Sequence, residues 1–152
     1  MASYHIVLHS VPNPHPSFKS YMGSWRPEHG LVRVMATSEQ FGDDSTASSA
    51  RRLYDQVKRQ LTQRYGNPES NEFVSDEVWA PEKDFCMALE NGERAHACIW
   101  TRLDNQLGDD LEKIFLMVNS DDGYETSSVS LIYEFPGFDE ATVGDDYGLD
   151  SL

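Results

Sequence analysis

The chain has 152 residues, of which 39% are hydrophobic and 11% aromatic, and its formal net charge is −14. This length suits a single domain with one core, and the composition lies well above that of a disordered chain. The negative charge disfavours direct binding to nucleic-acid phosphates and to anionic membranes. No stretch approaches a membrane span, and the first ten residues lack a secretory signal, so we expect a cytoplasmic protein.

Alternating apolar residues predict strands at the start of the chain. Tyr4 to Val11 alternates with a period of two, and the proline-rich segment 12–16 ends this pattern. Two apolar-rich runs, Phe18 to Trp25 and Leu31 to Thr37, flank a turn sequence that contains Pro27 and Gly30. We therefore expect one strand followed by an antiparallel hairpin.

A helix is predicted over residues 46–65, after the capping sequence Asp43-Asp44-Ser45 and before Gly66 and Pro68. Apolar residues recur there at steps of three and four, which is typical of a helix with one buried face. The apolar set is Ala50, Leu53, Tyr54, Val57, Leu61 and Tyr65. The opposite face carries Arg51, Arg52, Lys58, Arg59 and Arg64, which we expect to be solvated or paired with acids elsewhere.

Residues 81–100 fit two interpretations. Asn91-Gly92 is typical of a two-residue turn, which predicts a hairpin between Phe85 to Leu89 and Arg94 to Trp100. The alternative is a short helix from Pro81 to Glu90, because Pro-Glu-Lys is a favourable first helical turn. The pattern alone leaves both open.

The last third predicts another strand pair, Lys113 to Asn119 with Ser127 to Phe135, around the turn at residues 120–124. The predicted fold is α+β, a mostly antiparallel sheet of about five to seven strands packed against the helix at about 46–65. Residues 1–136 would form one globular domain, followed by an acidic tail over 137–152. This tail would be flexible, or tethered by Phe138, Val143, Tyr147 and Leu149.

The acidic residues are concentrated near the end of the chain. Residues 1–103 carry a net charge of −2, whereas residues 104–152 carry −12, with Lys113 as their single basic residue. Such a cluster would bind a basic protein surface and speed the encounter, or it would serve only as a solubilising surface. Seven acids in the loops around the strand at 113–119 are the candidate binding residues: Asp104, Asp109, Asp110, Glu112, Asp121, Asp122 and Glu125.

No catalytic, cofactor-binding or metal-binding site is predicted. The acidic loops lack the spacing of a calcium-binding loop, and the five histidines lack zinc spacing. Cys86 and Cys98 suit ordinary buried thiols, and the hairpin register would place Cys98 opposite Phe85 and Cys86 opposite Ala97, on different faces. Cys98 with His96 on the same strand face is the one candidate for a nucleophile and its base.

The middle and end of the chain resemble small bacterial α+β proteins that have no assigned active residues, so the resemblance implies no site. The residues that carry it are Tyr65-Gly66-Asn67-Pro68, Trp79, Asp84-Phe85, Ala88-Leu89, Glu93-Arg94, Trp100 and Leu131-Ile132-Tyr133-Glu134-Phe135. In size and acidity the chain is also similar to bacterial immunity proteins, which bind and block a toxin.

These observations favour a cytoplasmic binding protein over an enzyme. The first hypothesis is an immunity protein that inhibits a basic toxin, such as a nuclease, through its acidic loops. The second is a protein of a phage or mobile element that mimics DNA or disables a host enzyme. The third is a small enzyme that uses Cys98 and His96.

Overall fold

The computed structural model describes residues 4–8, 16–108, 111–121 and 124–137. Within these ranges the chain forms one seven-stranded sheet and two α-helices. The strands are β1 (Tyr4–Leu8), β2 (Phe18–Arg26), β3 (Gly30–Ser38), β4 (Glu69–Val74), β5 (Arg94–Thr101), β6 (Lys113–Asp121) and β7 (Thr126–Glu134). The helices are α1 (Ser48–Tyr65) and α2 (Phe85–Glu90), and two single 3₁₀ turns, Glu77–Trp79 and Glu82–Asp84, precede α2.

The strands lie in the order β1-β2-β3-β7-β6-β5-β4, and every neighbouring pair is antiparallel. This arrangement confirms a mostly antiparallel sheet packed against one main helix, although strands dominate the structure. Two of the three predicted strand pairs are also confirmed, since β2 pairs with β3 and β6 pairs with β7. Because β7, the last strand, pairs with β3, strands from the first and the last part of the described chain lie side by side in the sheet.

Helix α1 is confirmed as well, and it begins two residues after the predicted start. The carboxylate of Asp44 accepts hydrogen bonds from the backbone and hydroxyl groups of both Thr46 and Ser48, at 2.5–3.0 Å. These bonds satisfy donors at the first turn. The helix ends at Gly66, whose φ of 92° suits glycine and whose amide donates to the Thr62 carbonyl.

The core lies between α1 and one face of the sheet. The apolar side of α1 packs on β6 and β7, and its Tyr54 is fully buried. Trp100 of β5 is also fully buried, and its indole N–H donates to the Gly66 carbonyl at 2.8 Å. This bond satisfies a carbonyl at the end of α1, so the helix end is anchored to the sheet.

The hairpin interpretation of residues 85–100 is wrong, and the short helix is correct. Phe85, Cys86 and Ala88 are all buried, a spacing that places them on one side of a helix rather than on alternate faces of a strand. The register of Cys98 opposite Phe85 and Cys86 opposite Ala97 is therefore wrong too. Both cysteines are free and buried, one in α2 and one in β5.

Strand β4 was not predicted. Its sequence is polar apart from Phe73 and Val74, and none of its side chains is fully buried. It pairs with β5 at the edge of the sheet, where one side of the strand faces no other strand. An edge strand of this kind lacks the alternation of buried and exposed residues on which a strand prediction depends.

The predicted tail at 137–152 lies outside the described residues apart from Gly137, as do the positions after Leu8 in the predicted first strand. Within the described ranges, neither helix combines the length and the apolar character needed to cross a membrane.

Replacement of Asp44 by Ala should lower the free energy of unfolding by about 0.5–2 kcal/mol, the range seen when a side chain that accepts hydrogen bonds at the start of a helix is removed. The hydrogen bonds from Ser48 and Thr46 lower the pKa of Asp44 from 3.8 to about 2. A lowered pKa stabilises the fold above the unfolded pKa, so the effect should shrink as the pH falls from about 4 towards 2. Urea unfolding across this range measures it.

Asp55→Ala is the control, since it removes the same charge from an exposed position within α1. An equal loss of stability in the two variants, or a difference that does not shrink between pH 4 and pH 2, would contradict the stabilising role of Asp44 at the start of α1.

Candidate protein-binding surface

The acidic residues predicted for binding lie in two loops at opposite ends of β6. Asp104 and Glu112 precede this strand, whereas Asp121 and Glu125 lie at its far end. A nine-residue strand separates its ends by about 26 Å, so the two loops do not form one continuous patch. Three further candidates, Asp109, Asp110 and Asp122, lie outside the described residues.

The loop before β6 is tied to a basic residue. The Arg102 side chain donates to the carbonyls of Leu111 and Gly108, each at 3.0 Å, and its Nε lies 3.8 Å from the Glu112 carboxylate. Asp104 accepts a hydrogen bond from the Thr101 hydroxyl at 3.3 Å. Arg102 therefore offsets part of the negative charge of this loop.

The loop after β6 lies against a second acidic segment that precedes α1. Phe41 and Ser127 exchange two backbone hydrogen bonds of 2.8 and 2.9 Å, and the Asp44 amide donates to the Glu125 carbonyl at 3.0 Å. We call residues 39–47 and 121–126 together the acidic loop pair. It contains no Lys or Arg and six acids: Glu39, Asp43, Asp44, Asp121, Asp122 and Glu125.

The backbone of the acidic loop pair is unusual. Asp43, Ala47 and Tyr124 have φ values of 56°, 53° and 62°, and they are the three non-glycine residues with positive φ in the described ranges. Side chains disfavour this conformation, which persists where surrounding contacts enforce it and which concentrates at functional sites. Tyr124 leaves 41% of its surface exposed at the tip of the β6–β7 hairpin.

The acids of the loop pair differ in their roles. Asp44 is occupied by the start of α1, as its lowered pKa reflects. Asp43 and Glu125, by contrast, are exposed and lie on adjacent segments. The sequence pattern assigns Asp43 to the capping sequence before a helix. It gives no indication that Asp43 lies on a segment next to Glu125.

The basic face of α1 does not neutralise the acidic loops in the described part of the chain. Its two ion pairs are formed instead with acids from residues 69–84. Arg51 lies 3.5 Å from Glu82, and Lys58 lies 2.8 Å from Glu72. The prediction of pairing with acids elsewhere is therefore confirmed for these two basic residues.

A second cluster surrounds the predicted pair His96 and Cys98. Both side chains face α1, where the ring of His96 lies 4.5 Å from that of Tyr54. The Tyr54 hydroxyl donates to the Glu72 carboxylate at 2.6 Å, and Lys58 donates to the same oxygen. Sequence reasoning missed Tyr54 and Glu72, because Tyr54 belongs to a regular apolar stripe and Glu72 belongs to β4.

In this cluster, burial favours the uncharged forms of Cys98 and His96, whereas Glu72 at the edge is held in its charged form. Burial raises the pKa of the Cys98 thiol to about 11 and lowers the pKa of His96. Burial also opposes ionisation of Glu72, but the hydrogen bonds from Lys58 and Tyr54 outweigh it and hold the pKa of Glu72 below its usual value. Cys98 is therefore a protonated thiol at neutral pH, which is a weak nucleophile.

Potential metal ligands do not converge within the described part of the chain. No group of three or more His, Cys, Asp and Glu residues is arranged there to hold a metal ion. Comparison with protein-family models, with curated proteins and with solved structures gave no match.

Cys98 should react slowly with thiol reagents in the folded protein. At pH 8 the rise in pKa from 9.0 to about 11 lowers its thiolate fraction about 100-fold, and burial further restricts access. Ellman's reagent should therefore label neither cysteine until the protein unfolds. The Cys86→Ser variant assigns the remaining signal to Cys98, and rapid labelling of that variant at neutral pH would contradict the buried, protonated thiol.

Proposed function

We propose that this protein is a binding domain for a basic protein partner, which it contacts through the acidic loop pair. The observation that supports this proposal most is the coincidence of two features on the same loops. The sequence of these loops holds six acids and no basic residue, and the same loops contain the three strained non-glycine residues of the described chain. Strain held by two loops that are hydrogen-bonded to each other maintains a fixed arrangement of side chains.

Tyr124 would be the central contact. Tyrosine is enriched among the residues that dominate binding energy, because it offers a large rigid surface together with a hydroxyl. Exposed Asp43 and Glu125 beside it would form a charged rim. Such rims accelerate the encounter with a partner of opposite charge and orient it, while the aromatic contact slows its release.

The biological role that suits this surface is inhibition of a basic toxin, such as a nuclease, by a bacterial immunity protein in the cytoplasm. Enzymes that act on nucleic acids present positive surfaces to phosphates, and an acidic protein surface can cover them. The loop before β6, with Asp104 and Glu112, would lie outside the central contact because it is at the other end of the strand. The negative charge of this loop would add to the long-range electrostatic attraction of a basic partner.

Changes in the acidic loop pair should weaken partner binding in two distinct ways. The partner is isolated on immobilised protein from the cytosol of the source organism, and binding kinetics are then recorded against salt. Asp43→Asn with Glu125→Gln should lower the association rate about tenfold at low salt, because it removes two charges from the rim. Tyr124→Ala should instead raise the dissociation rate, with a loss of affinity of about tenfold or more.

The matched control is Glu28→Gln with Glu77→Gln, which removes the same charge from exposed sites outside the loop pair. Equal loss of binding in the control, or an association rate independent of salt, would refute this surface. If the partner is a host protein rather than a toxin, the immunity role fails while the proposed binding surface stands.

A further inference from the structure

Both helices lie on the same face of the sheet. In β7 the side chains of Val129, Leu131 and Tyr133 pack in the core beneath α1. Side chains alternate along a strand, so Ser130, Ile132 and the other even-numbered residues of β7 point away from the helices. We call that side of the sheet the open face, and neither α1 nor α2 covers it.

An apolar row crosses the open face. Residues that are direct partners on neighbouring strands share a face, so the pairing register identifies the members of this row. From β1 to β5 they are Val7, Met22, Met35, Ile132, Phe115 and Ile99. Ile132 at the centre is only 3% exposed, whereas Val7 at the edge is 62% exposed.

A polar row runs beside the apolar one and carries a net positive charge. Its members, from β1 to β6, are His5, Ser24, Arg33, Glu134 and Lys113. Arg33 and Glu134 are 2% and 5% exposed, respectively. A sheet face bare to water leaves such long charged side chains largely exposed, so their burial indicates a further layer on this face.

The chain after β7 begins close to this face. The Phe135 amide donates to the Val32 carbonyl at 2.9 Å, and the Arg26 side chain donates to the Gly137 carbonyl at 3.4 Å. Gly137 also lies against the ring of His29, where a side chain would have no room. Gly137 therefore lies beside the turn between β2 and β3, three residues after Glu134 of the polar row.

From this placement we propose that residues 138–152 bind across the open face of their own sheet. Five acids of this segment complement the positive row, and its Phe138, Val143, Tyr147 and Leu149 suit the apolar row. Fifteen extended residues reach up to about 50 Å, whereas seven strands span about 29 Å. The segment is thus long enough to cross the whole sheet.

This inference does not depend on the proposed partner or on the acidic loop pair. The segment would be a third layer of the domain, so that both faces of the central strand β7 are packed. A second copy of the chain or a separate partner on the open face are the competing arrangements, and the experiment distinguishes both from the proposal.

The methionines provide the reporters for a test in the full-length chain. Met22, Met35 and Met117 lie on the open face, whereas Met87 lies in α2 on the opposite side of the sheet. A spin label on Thr142→Cys should react selectively, because both native cysteines are buried. In a protein labelled with ¹³C-methyl methionine, the label should broaden the Met22 and Met35 signals several-fold more than the Met87 signal.

Two further variants test whether the broadening depends on the apolar side chains of the segment. Val143→Ser with Tyr147→Ser in the labelled chain removes apolar contacts and should restore the Met22 and Met35 signals. Ala141→Ser with Ser151→Ala changes the same number of residues but keeps these contacts, so it should leave the broadening in place.

Three outcomes would overturn the proposal. The first is broadening that is equal at Met87 and Met35, and the second is the absence of broadening at either. The third arises when spin-labelled chain without ¹³C is mixed with ¹³C-labelled chain that lacks the spin label. Broadening of Met22 and Met35 in that mixture would assign the open face to a second copy.

Discussion

The single residue Asp44 links the helix, the sheet and the acidic loop pair. Its carboxylate accepts the hydrogen bonds that start α1, and its amide donates to the Glu125 carbonyl beside β7. The helix therefore begins at a fixed position relative to the central strands, so its apolar side covers β6 and β7. The same contacts hold the segments of Asp43 and Tyr124 next to each other, so the proposed binding surface depends on the contacts that join the helix to the sheet.

The charge distribution follows the same architecture. The positive face of α1 forms its described ion pairs with Glu82 and Glu72, and Arg102 is bound within its own loop. Arg51, Lys58 and Arg102 are thus engaged near the helix and at one end of β6, whereas the acidic loop pair at the other end contains no Lys or Arg. In the proposed function, the negative charge of the acidic loop pair would attract and orient a basic partner.

The elements predicted correctly are those in which apolar residues recur in the sequence with the period of the helix or strand. Helix α1 shows a clear apolar stripe, and in the sequence of β7 the apolar residues Val129 and Leu131, which face α1, alternate with polar serines. Strand β4 buries neither face completely, and α2 contains too few residues to display a period. Proximity of Asp43 to Glu125 depends on the long-range pairing of β3 with β7, which local sequence patterns do not encode.

The two edges of the sheet differ in how they resist aggregation. Strand β4 exposes 51% of Phe73 but also presents Glu69 and Glu72, and charged residues on an edge discourage the addition of a foreign strand. At the opposite edge, β1 exposes 46% of Ile6 and 62% of Val7. If molecules of this protein associate abnormally under stress, sheet extension should therefore begin at β1, and a lysine at position 7 would be the simplest protection.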